Sequence, residues 1–144
     1  MYSLDWLIPN KVAYARVYGR HTIEDMEQAN ADFEGLLHEA GQTVHLIMDM
    51  RAAENLPIQI KRGQEVLEVA KNPNLGWVVS VGSSNEIVKY VGIMIVKIFR
   101  LRFQRLGNMQ DVIDFLHSLD PSLDWSAART ELLINDAELR LPVA

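Results

Sequence analysis

The chain has no cysteine among its 144 residues, which removes disulfides, thiolate nucleophiles and cysteine-ligated zinc or iron–sulfur sites together. It also lacks a long apolar run. The longest, "VGIMIV" at 91 to 96, falls far short of the roughly 20 residues that cross a bilayer. The opening "MYSLDWLIPNK" has no basic start followed by an apolar core, so a secretory signal is not expected and a cytoplasmic protein is. Basic excess is missing as well: the formal charge is −5, and nucleic-acid binding, which needs a basic face, is not expected. The charge is uneven, however. Residues 86 to 107 carry Lys89, Lys97, Arg100, Arg102 and Arg105 against Glu86 alone, and the acids gather after residue 108.

What is present is a 49% hydrophobic chain of single-domain size, with strand and helix patterns in alternation. "DWLIPN" and "KVAYARVYG" form a hairpin around Pro9 and Asn10. A helix follows, with Thr22 as N-cap, Asp25 as the capping-box acid, and Met26, Ala29, Phe33, Leu36, Leu37 and Ala40 at helical spacing before Gly41. "VHLIMDM" is continuous enough to be a strand buried on both faces. A second helix is expected from Pro57 to about 71, then a strand at "WVVSVG" and a long apolar third helix from Ser83. "LRFQRLG" reads as a short edge strand, and Asn108 caps a fourth helix through Val112, Ile113, Leu116 and Leu119, which Pro121 stops. Strand–helix–strand units of this size impose right-handed parallel crossovers. The expected fold is therefore α/β: one mixed, mostly parallel sheet of about five strands with about four helices and an antiparallel hairpin at the start. The α/β domain spans 1 to 121. The tail, 122 to 144, is expected to pack on that domain or on a neighbouring subunit.

Four stretches carry a resemblance: "VYGRHTIEDMEQANADFEGLL", "VHLIMDM", "GWVVSVG" and "FRLRFQRLGNMQDVIDFL". In this order they resemble the SpoIIAA-like family, which includes the STAS anti-sigma-factor antagonists and, more distantly, CRAL-TRIO lipid-binding domains. The resemblance spans about residues 12 to 120. It implies a bacterial, non-enzymatic regulatory module that binds a protein partner. In STAS antagonists the segment after the strand matched by "VHLIMDM" bears a phosphorylatable serine. This chain departs there: it reads Arg51, Ala52, Ala53, Glu54, Asn55, and no serine or threonine lies between Thr43 and Ser80. The resemblance thus implies a module without that hydroxyl switch. Glu54 is read as a solvated loop acid, its alternative being a permanent mimic of phosphate.

Candidate site residues come from two places. The first is the charged end of "VHLIMDMRAAENLP", where open α/β sheets put ligands and partners: Asp49, Arg51, Glu54 and Asn55. Asp49 either pairs with Arg51 or serves a ligand. Alanine at Arg51, Glu54 or Asn55 is expected to leave stability almost unchanged, since the segment from Asp49 to Pro57 reads as an exposed loop. Ser83 and Ser84 join them as a helix N-terminus whose backbone N–H groups could hold an anion, capping alone being the plainer role. The second place is the third helix, whose Ile93, Met94 and Val96 exceed what one sheet face covers, with Lys97 and Arg100 beside them.

His21, His38, His45 and His117 are scattered without metal-site spacing, "VGSSNE" lacks the second glycine of a nucleophile elbow, and no acid–base pair has a recognisable spacing. No enzyme, metal or cofactor is therefore expected. Two functions stay open: a protein-interaction module that is a homodimer, and a binder of a lipid-like or anionic small ligand in an apolar pocket beside the third helix.

Overall fold

The computed structural model describes residues 1–55, 71–82, 102–133, 135, 136 and 138–143. Five strands make one sheet in the order β1-β2-β3-β4-β5: β1 (Tyr2–Ile8), β2 (Val12–Arg20), β3 (Val44–Asn55), β4 (Leu75–Val81) and β5 (Phe103–Leu106). β1 and β2 are antiparallel, and every later pairing is parallel. The hairpin turns at Asn10, whose φ of 62° suits a short polar side chain, and Lys11 N–H closes it on the Ile8 carbonyl at 3.0 Å. β2, β3 and β4 occupy the centre of the sheet.

Two helices lie among the described residues, α1 (Ile23–Ala40) and α2 (Met109–Leu119). The capping box at the start of α1 forms as its sequence requires. Thr22 Oγ1 accepts from Asp25 N–H at 3.1 Å, and Asp25 Oδ2 accepts from Thr22 N–H at 3.0 Å. Gly41 ends the helix at φ 60°, the left-handed conformation that glycine adopts without a Cβ clash. Asn108 caps α2 by accepting from Asp111 N–H at 2.9 Å. The helices expected over 57 to 71 and from Ser83 onward lie outside the described residues.

Strand alternation sorts the core onto two faces. On one, Ala13, Val44, Leu46, Leu75 and Val78 meet Phe33 and Leu37 of α1. On the other, Val12, Tyr14, Ile47, Val79 and Val81 meet Val112, Ile113 and Leu116 of α2. The chain beyond Pro121 joins this second face. Leu123, Trp125 and Leu133 are buried in the same cluster, the last two on short 3-10 turns at Trp125–Ala127 and Thr130–Leu133. Polar clasps fix the segment at both ends: Arg129 N–H donates to the Leu7 carbonyl at 2.8 Å, and Gln110 exchanges bonds of 2.8 and 3.0 Å with the Arg140 backbone.

One sequence expectation needs correction here. The charges from Asp49 onward predict an exposed loop, yet β3 continues to Asn55, paired with β2 as far as Arg20 through two register shifts. The charged residues do not break the strand because they satisfy one another, as described next.

Candidate functional site

Asp49 is 3% exposed, so its charge must be met inside the protein. Three groups meet it. The Tyr14 hydroxyl, from the neighbouring strand β2, donates to Oδ2 at 2.5 Å. Arg51, two residues on and therefore on the same face of β3, donates from Nε to Oδ1 at 2.9 Å and from Nη2 to Oδ2 at 2.7 Å. The Arg51 backbone N–H adds a bond to Oδ1 at 3.2 Å. The same guanidinium then turns its outer edge to Asp136, with bonds of 2.7 Å from Nη1 and 2.8 Å from Nη2. Arg51 is thus clamped between two carboxylates, one in the sheet and one in the C-terminal segment.

Electrostatics fix the protonation of Asp49, Tyr14 and Arg51. Burial pushes the Asp49 carboxyl up, but the hydrogen bonds from Arg51 and Tyr14 and the Arg51 charge outweigh it and hold it below the usual carboxylate range. Burial raises the Tyr14 phenol well above its ordinary value, and the bond to Asp49 and the Asp49 charge raise it further. Hydrogen bonds to Asp136 and then Asp49 raise Arg51. A permanent anion, a neutral phenol and a permanent cation have no proton to exchange near neutral pH. The cluster is therefore unsuited to general acid–base catalysis, and its geometry is that of a closed clasp.

His45 is engaged in a second clasp. Trp77 N–H donates to Nδ1 at 3.0 Å, so Nδ1 is the acceptor and Nε2 carries the proton toward Asp120 Oδ2, also at 3.0 Å. Burial raises Asp120, but hydrogen bonds from Ser122 and His45 win and lower it. The imidazole rests on Gly76, where a Cβ would stand 2.5 Å from Nδ1. His45 ties β3, β4 and the end of α2 together.

The remaining sequence candidates separate. Glu54 is exposed on β3, and the Asn55 backbone pairs opposite Arg20. Ser83, Ser84, Ile93, Met94, Val96, Lys97 and Arg100 lie outside the described residues. Tyr14 and Asp136 were not singled out from sequence. Tyr14 carried a signal, a residue with a polar tip on the buried side of an alternating strand; Asp136, 85 residues from Arg51, carried none. Beside Asp136 lies a shallow cleft of about 970 Å³ between α2 and residues 138–143, lined by both polar and apolar groups including Asp114, His117 and Leu139. Among the described residues no group of three or more His, Asp or Glu side chains could hold a metal ion, and no helix is long and apolar enough to cross a membrane.

No family model and no curated protein matches the chain. A solved structure does: that of the anti-sigma factor antagonist SpoIIAA in its unphosphorylated form, with a TM-score of 0.55 and 12% sequence identity, over 82% of this chain and 97% of that one. The fold is SpoIIAA-like. At that identity the likeness is one of architecture, which the strand order and the N-terminal hairpin already display.

Proposed function

We propose that this chain is a non-enzymatic protein-interaction module of SpoIIAA type, docking a partner at the end of β3 around Glu54 and Asn55. The observation that carries the reading is the SpoIIAA-like fold, whose namesake is an anti-sigma factor antagonist, combined with a strand end whose deeper charges are already engaged internally. Asp49 and Arg51 hold the strand, and Glu54 remains as the exposed charge beside them. With no serine or threonine between Thr43 and Ser80, the module binds without a hydroxyl switch in that stretch. Its setting is the cytoplasm.

In the same reading the chain acts as a homodimer through the apolar stretch at Ile93, Met94 and Val96, because surplus apolar surface is most simply covered by a second copy.

Affinity capture with the wild type and with Glu54→Arg tests the docking site. A protein recovered in stoichiometric amount by the wild type and lost with the charge reversal supports the reading. Equal recovery by both places the docking site elsewhere.

A further inference from the structure

Arg16 differs from Arg51 and Arg129 in its partners. It sits on β2 two residues beyond Tyr14, so it projects to the same side of the sheet as Tyr14, Asp49 and Arg51. It is half-buried, its guanidinium carbon lies 5.4 Å from the centroid of the Tyr18 ring, and no carboxylate or other acceptor among the described residues pairs with it. Arg51 has two carboxylates and Arg129 pairs with Asp5 and Glu131. A half-desolvated guanidinium seated on an aromatic ring is a prearranged fork of donors without an acceptor. Ser3, its register partner on β1, presents an exposed side chain on the same face. The position is the middle of β2, opposite Asp49 of β3.

We propose that Arg16, backed by Tyr18 and Ser3, is a carboxylate-binding site that takes an acidic side chain of a protein partner. The proposal rests on the interaction-module reading and names the chemistry of its partner. Charge selects a carboxylate over a phosphate. A monoanion matches the single guanidinium in charge and docks on it through two parallel hydrogen bonds, whereas a dianion would leave a charge unmet. The Tyr18 ring supplies an apolar wall for the methylenes of a glutamate.

The test needs no partner. N-acetylglutamate amide and, separately, inorganic phosphate are titrated into isotopically labelled protein while the Arg16 Nε–H and Tyr18 ring signals are followed. The expected result is a saturable shift of both signals with the glutamate compound, at a dissociation constant on the order of millimolar. Binding should weaken at least about tenfold in Arg16→Gln and in Tyr18→Leu, two variants whose amide spectra report retention of the fold. Lack of saturation, equal shifts at Arg20 and Arg102, or tighter binding of phosphate would overturn the carboxylate site. Because the probe is a small molecule, such a failure leaves the Glu54-dependent capture standing, and failure of that capture leaves this titration standing.

Discussion

Arg51 and Asp136, 85 residues apart in sequence, share two hydrogen bonds of 2.7 and 2.8 Å that pin the C-terminal segment to the third strand. The bond pair is bidentate, the geometry in which an arginine–carboxylate contact is strongest, and the same guanidinium neutralises Asp49 in the sheet. Arg51→Ala should therefore destabilise the protein by about 2 kcal/mol, because it leaves a buried carboxylate without its cation. The magnitude is set below that of a fully buried pair since Arg51 retains 32% of its exposure. Urea unfolding monitored by tryptophan fluorescence measures it, and a loss within 0.5 kcal/mol, the usual range for exposed positions, would restore the loop reading of this segment.

Glu54→Ala should behave in the opposite way. Its side chain is exposed, so the same urea experiment should give a change within about 0.5 kcal/mol. A larger loss would mean that Glu54 is structural and unsuited to serve as the partner-facing charge.

The pH dependence follows from Asp49, whose folded carboxyl lies below the usual range although burial alone would raise it, because the bonds from Arg51 and Tyr14 and the Arg51 charge prevail. A depressed carboxylate contributes stability that is present above its unfolded value of about 3.9 and is lost as pH falls through the folded value. Wild-type stability should thus fall on acidification below about pH 4, and Asp49→Asn should flatten that part of the profile while lowering stability at pH 7. An unchanged acid limb in the variant would remove Asp49 from the account.

How much of this was legible in the sequence differs between the backbone and the site. Hairpin, capping box and buried strands each have local causes: Asn10 in a turn, Thr22 with Asp25, and Val44 through Met48 in a continuous apolar run. The length of β3 did not, because a run of charged residues marks a loop only if those charges face water. Asp49 and Arg51 face each other, and Asp136 completes them from a part of the chain that has no periodic signal. Arg16 was hidden for a related reason. Its alternation with Tyr14 and Tyr18 was plain, whereas its lack of a carboxylate partner among the described residues is a fact of the folded sheet.

The C-terminal segment is part of the core. Trp125 is 4% exposed against the α2 face of the sheet, and Trp125→Ala should cost about 3 to 5 kcal/mol, enough to consume much of a small domain's stability. Thermal unfolding should show a fall in Tm of roughly 10 °C or more, on the scale of about 3 to 4 °C per kcal/mol for a chain of this size. A variant melting within a few degrees of wild type would show the segment to be a detachable tail.

Gly76 should tolerate no side chain. An alanine Cβ there would stand 2.5 Å from His45 Nδ1 and 2.8 Å from Cε1, and the ring cannot retreat without giving up its bonds to Trp77 N–H and Asp120. Gly76→Ala should destabilise by about 1 to 3 kcal/mol, the usual range for overpacking. Calorimetry reads the loss directly, and a neutral substitution would mean that the His45 clasp is loose.

The interaction-module reading is tested most directly by hydrogen exchange of the backbone, measured on the wild type alone and in complex with the protein that Glu54-dependent capture recovers. The account predicts slowed exchange confined to residues 16–20 and 51–55, with α2 unchanged. A footprint over α2 and residues 138–143, centred on the shallow cleft, or no footprint anywhere in the chain, would contradict it.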